Sequence, residues 1–207
     1  MKETTRLTSA TLGRAHSRRV VNTGVVRGST VLMESAEVLY NDDIRPTYGT
    51  DGLDTQLELC RLIAELEGAH QSFILPTGIA ALSVPIFAFL QAGDDILVVN
   101  STYAPVRRFL ETQMKRYGVT PRYYDPALTP DEVLALATPA TKMIYVESPG
   151  SLTFDIQDIP NIAKLAKARG ILTLCDNTYG AGVLFKPLAH GIDLSMQALT
   201  KYVGGHS

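Results

Sequence analysis

Lys201 and Asp176 are the two residues whose types and placement point to chemistry. Lys201 stands in the run Thr200-Lys201-Tyr202-Val203-Gly204-Gly205-His206-Ser207, among small and apolar neighbours. Asp176 directly follows the apolar run Ile171-Leu172-Thr173-Leu174-Cys175, at the end of a predicted strand. An amine in desolvating surroundings gives up its proton more readily and can form an imine with an aldehyde. A carboxylate beside a pyridine nitrogen keeps that nitrogen protonated, so that the ring can accept electrons. Together these are the groups that pyridoxal 5'-phosphate (PLP) requires. Either alone is weak: most lysines are solvated, and an Asp at a strand end is commonly a turn former or helix cap.

Further residues join them on the same reading. Gly78, in Pro76-Thr77-Gly78-Ile79-Ala80, lies between a predicted strand and an apolar helix, where backbone N–H groups can reach a phosphate. Tyr103 follows the apolar run ending at Val99-Asn100, where an aromatic ring can stack on a cofactor. Asn177 and Thr178 follow Asp176, and Thr178 is counted with the cofactor-binding set. The four histidines, His16, His70, His190 and His206, show no metal-ligand spacing, and no metal is expected. No Gly-x-Ser-x-Gly elbow or Walker loop occurs.

The elements that must position these residues alternate strand and helix. Leu59, Leu62, Ile63 and Leu66 repeat at helical spacing from Asp54, with Thr55 and Glu58 as a predicted capping box and Gly68 as the stop. Residues 72–75 form a candidate strand, and 78–90 a buried helix. Strands are predicted at 96–99, 120–124, 143–146, 171–175 and 194–198. Helices are predicted from Pro105 to Gly118, from the capping box Thr129-Pro130-Asp131-Glu132, and from Asp158 to Arg169. This order gives an α/β fold with a mostly parallel sheet covered on both faces. In such a sheet ligands bind at the C-terminal ends of the strands.

Residues 1–50 read differently. Arg14, Arg18, Arg19 and Arg27 alternate with small polar and β-branched residues, and Val20-Val21, Val25-Val26 and Val31-Leu32-Met33 punctuate the segment. An extended arm contacting the neighbouring subunit is expected over 1–50, followed by an incomplete large PLP-binding domain over 51–207. Composition is 45% hydrophobic and 19% charged, and the net charge of −2 gives no reason to expect nucleic acid or an anionic membrane as partner. Residues 79–90 are too short to span a bilayer, and the N-terminus lacks a signal-peptide core. Cys60 and Cys175 both lie in apolar patterns and are expected as buried free thiols in a reducing cytoplasm.

With these residues in place, the chain resembles the Cys/Met-metabolism family of PLP enzymes over nearly its whole length. The most specific segment is 193–207, Asp193 through Lys201 to Ser207, which is similar to the family's lysine signature. Tyr48-Gly49, Glu65-Leu66-Glu67-Gly68, Glu147-Ser148-Pro149-Gly150-Ser151 and Asp176-Asn177-Thr178 match as well. The segments 147–151, 182–186 and 191–193 resemble the cystathionine β-lyase branch. The resemblance implies fold type I, the aspartate-aminotransferase architecture, with a C-terminal domain that this chain does not include. It implies Lys201 as Schiff-base lysine, Asp176 as partner of the ring nitrogen and Tyr103 as ring-stacking residue. It further implies that Gly78 and Ile79 bind phosphate through their backbone and Thr200 through its hydroxyl. Tyr48 would reach into a neighbouring subunit's site from the arm, making a homodimer or homotetramer the working unit. Two positions depart from the family pattern. Thr50 stands where many relatives carry an arginine, which removes a bidentate phosphate clamp, and Ala198 stands where many carry serine.

The expected activity is carbon–sulfur lysis of a small sulfur amino acid, the α,β-elimination of L-cystathionine to homocysteine, pyruvate and ammonia. Lys201 would serve both as attachment point and as general base. γ-Elimination or γ-replacement within the same family is the alternative, as is a truncated fragment that binds PLP without turnover.

Overall fold

The computed structural model describes residues 23–41 and 46–206. The arm positions Arg14, Arg18, Arg19, Val20 and Val21 lie outside the described residues. The chain divides into two compact units, Met1–Ile74 and Leu75–Ser207.

In the first unit, α1 (Ala36–Leu39) is a single turn capped by Ser35. The chain then forms an isolated antiparallel bridge between Thr30 and Tyr48 and a 3-10 turn, Gly49–Asp51. Gly49 is required by crowding: a Cβ there would lie 2.9 Å from Ser29 Cα. Helix α2 (Asp54–Glu67) ends at Gly68 in the left-handed region, as the sequence predicts. Its start differs. Gln56, not Glu58, accepts from the Leu53 amide, at 3.2 Å. Thr55 instead donates to the Gly24 carbonyl and accepts from the Val26 amide, pinning the preceding segment. Glu58 is taken up by an ion pair with Arg61 at 2.8 Å. Cys60 is half-buried rather than buried.

The second unit holds a five-stranded parallel sheet. Its strands are β1 (Asp95–Val99), β2 (Thr120–Tyr124), β3 (Thr141–Glu147), β4 (Leu172–Asp176) and β5 (Leu194–Met196), in the order β2-β1-β3-β4-β5. Helices α3 (Gly78–Phe89), α4 (Ala104–Phe109), α5 (Pro130–Ala135) and α6 (Ile159–Ala168) accompany it, and α4 runs on as a π-turn through Leu110–Met114. Every residue of β1 is buried, as are Met143 to Val146 of β3. Continuous apolar burial of this kind is what a parallel sheet covered on both faces requires.

Three sequence expectations fail here. Residues 71–75 form an irregular connection, not a strand. Helix α3 is not buried all round: Leu82 and Ile86 face the core, while Val84, Phe87 and Phe89 are exposed. Strand β5 stops at Met196, because the Ala198 amide turns away to the Thr178 hydroxyl at 2.9 Å. The Thr129–Glu132 capping box forms as predicted.

Candidate active site

The C-terminal ends of β1, β3, β4 and β5 form one edge, and the chemistry-bearing residues of the second unit gather there. Asp176 is the last residue of β4 and is 8% exposed. Its Oδ1 accepts the Thr178 amide at 2.9 Å in a tight turn. Burial pushes the carboxyl above its ordinary value, while the Thr178 hydrogen bonds, the charge of Lys201 and the Tyr145 hydroxyl pull it back down. The Lys201 charge is thus one of several influences that favour the ionised acid.

Lys201 lies in the turn that follows β5, with its amide bonded to the Ala198 carbonyl at 3.0 Å. It is exposed, as are Thr200 and Tyr202. The expected desolvation of this lysine by its apolar neighbours is not present: a turn at a strand end projects those neighbours into solvent instead of packing them around the amine. Thr178 takes a different part from simple cofactor binding. Its hydroxyl accepts the Ala198 amide at 2.9 Å and so anchors the start of the Lys201 turn to the end of β4.

Gly78 opens α3, and Thr77 caps the helix by accepting the Ala80 amide at 3.1 Å. A cap of this type is worth about 1 kcal/mol. The first helical amides, at Gly78 and Ile79, donate to nothing within the described residues and stay available to an anion. The Cβ of Ala198 would come within 3.0 Å of a Cβ at Gly78. The turn leading to Lys201 thus packs directly on the open end of α3.

Tyr103 is the N-cap residue of α4 and is 43% exposed. Its position is fixed by a residue the sequence reading treated only as part of a motif. Glu147, the last residue of β3, accepts the Tyr103 amide at 2.8 Å and the Tyr145 hydroxyl at 3.1 Å on one oxygen, Oε2. Glu147 is paired in register with Asp176. Burial first, and the Asp176 charge second, push its carboxyl up to about 7. Tyr145, fully buried, is raised well above its ordinary value by burial and by both carboxylates, so it stays a neutral donor.

Tyr48 belongs to the first unit and is 49% exposed. There Asp51 Oδ2 gathers the Thr47 amide at 2.8 Å, the Thr47 hydroxyl at 2.9 Å and the Tyr48 amide at 3.3 Å. Asp51, which carries no distinctive signal in the sequence, orders this loop.

These residues fit PLP. A buried acid for the ring nitrogen, free helix N-terminal amides for the phosphate and an accessible amine share one sheet edge, with an exposed aromatic side chain beside them. The comparisons with known proteins agree. Residues 5–207 match the family described as Cys/Met metabolism PLP-dependent enzyme. The chain belongs to this family. It is 36% identical to the cystathionine beta-lyase of Escherichia coli over 212 residues, covering 98% of this chain and 53% of that protein. It is 38% identical to the L-alanine/L-glutamate racemase of Wolbachia pipientis over 176 residues, 84% of this chain and 43% of that protein. The solved structure of cystathionine gamma-lyase from Lactobacillus plantarum, complexed with L-serine, superposes with a TM-score of 0.91 at 31% identity, covering 100% of this chain and 52% of that one. The chain therefore spans about half the length of the curated relatives it matches. No helix among the described residues is long and apolar enough to cross a membrane.

Proposed function

We propose that this member of the Cys/Met-metabolism family is a carbon–sulfur lyase that cleaves L-cystathionine by α,β-elimination to homocysteine, pyruvate and ammonia. The observation that carries the reading is that the buried Asp176, the open N-terminus of α3 and the turn bearing Lys201 meet at one sheet edge. The likeness to cystathionine beta-lyases supports the choice of reaction.

Bound PLP supplies an electron sink for the pair left when a proton is taken from the substrate Cα. In this reading Lys201 Nζ is the attachment point. Nζ would also be the base that takes the Cα proton. Its exposure leaves it free to swing between the two tasks. Asp176 would accept a hydrogen bond from the protonated ring nitrogen, and its burial would strengthen that interaction. Gly78 and Ile79 offer their amides to the phosphate, with the Thr200 hydroxyl as a further donor. Tyr103 would stack on the ring. Tyr48 acts from the first unit of a second subunit, in a homodimer or homotetramer of a cytoplasmic enzyme.

A second reading, γ-cleavage, draws on the likeness to the Lactobacillus cystathionine gamma-lyase. Incubating the PLP-supplemented protein with L-cystathionine separates the two. Pyruvate with homocysteine supports β-cleavage, and 2-oxobutyrate with cysteine shows γ-cleavage. Bound cofactor without either product sinks both and leaves a PLP-binding chain without lyase activity.

A further inference from the structure

Glu147 takes part in none of the steps above, yet it is built into the site from three sides. Its Oε2 accepts from the Tyr103 main chain and from the Tyr145 hydroxyl. Its own carbonyl accepts from Gln157 Nε2 at 2.8 Å, and Gln157 in turn accepts the Tyr124 hydroxyl at 2.8 Å. A carboxylate 8% exposed, next to a second buried carboxylate, is costly to keep. An apolar residue would avoid that cost, as Val146 does one position earlier. What an apolar residue could not do is accept two hydrogen bonds on one oxygen. One of those bonds ties β3 to the residue that precedes α4.

We propose that Glu147 is the positioning residue for Tyr103. It fastens the Tyr103 main chain to the end of β3, so that α4 starts at a fixed place and the phenol ring is presented at the cofactor edge. Tyr145 orients the Glu147 carboxyl for this task. Both donors are neutral, so the role needs an acceptor and not a charge. The proposal rests on the reading of Tyr103 as the ring-stacking residue.

Amide hydrogen exchange in the cofactor-free protein tests the contact independently of that reading. In the unaltered chain the Tyr103 amide should exchange about a hundredfold or more slowly than in an unstructured peptide. Glu147→Gln, which keeps a carbonyl acceptor, should retain this protection. Glu147→Leu should lose about tenfold of it, with β1 amides unchanged. With PLP added, Glu147→Leu should weaken cofactor binding about tenfold and reduce the cofactor's visible circular dichroism, and Glu147→Gln should restore both. Fast exchange at Tyr103 in the unaltered protein overturns the proposal even if Glu147→Leu fails to fold. So does a Gln variant as impaired as the Leu variant, which would assign the effect to charge. If the Tyr103 amide is protected but Tyr103→Ala binds PLP with unchanged affinity and dichroism, the stacking reading fails and the positioning role falls with it.

Discussion

Glu147 and Asp176 end adjacent parallel strands at paired positions, so that two buried carboxyls stand side by side, with the Tyr145 hydroxyl donating to Glu147. Like charges in a buried setting cannot both ionise cheaply. The pair makes the cofactor-free protein sensitive to pH.

The direction of that sensitivity follows from the raised Glu147 carboxyl. The folded state binds its proton up to about pH 7, against an ordinary value of 4.5. Between these values the folded chain holds more protons than the unfolded one, so stability falls as pH rises. The full loss, roughly 3 kcal/mol, is reached above pH 7. The raised Asp176 adds a contribution of the same sign. Glu147→Gln should flatten this decline, and urea unfolding of the cofactor-free protein between pH 5 and pH 8 measures it. A variant whose stability falls as steeply as the parent's would show that Glu147 titrates normally.

Gly78 and Ala198 form a second coupled pair. Because a Cβ at Gly78 would approach Ala198 Cβ to 3.0 Å, Gly78→Ala should cost about 1–2 kcal/mol through overpacking. PLP affinity should fall with it. Adding Ala198→Gly should recover most of both losses, and a double-mutant cycle by thermal unfolding and cofactor titration reads the coupling. Simple additivity would show that the two residues do not press on one another.

Thr178 is expected to act through the Lys201 turn. Thr178→Val removes the acceptor of the Ala198 amide and should cost about 1–3 kcal/mol. Exchange at the Ala198 amide should speed up. Thr178→Ser should behave like the parent. Equal behaviour of the Val and Ser variants would show that the hydroxyl does not anchor the turn.

Much of this architecture was legible in the sequence, because burial in a parallel sheet leaves apolar runs with sharp ends. β2 and the Thr129 capping box appear where the pattern places them. The failures have local causes. Residues 194–198 read as one strand, yet the Thr178 hydroxyl, distant in sequence, captures the Ala198 amide and ends it. The expected burial of Lys201 relied on apolar neighbours, but apolar side chains on a strand-end turn need not pack inward. Glu147 was missed although it carries the same signal as Asp176, a carboxylate closing an apolar strand. Its partner, the Tyr103 main-chain amide, is a group that every non-proline residue has, so no residue type announces it.

The central claim is that Lys201 is the amine that holds the cofactor opposite Asp176. Borohydride reduction of the PLP-loaded protein, followed by peptide mapping by mass spectrometry, tests it directly. The account predicts a pyridoxyl group on Lys201 in the unaltered protein and none anywhere in Lys201→Ala. A label on another lysine, or a yellow, borohydride-fixable adduct that survives Lys201→Ala, would contradict it.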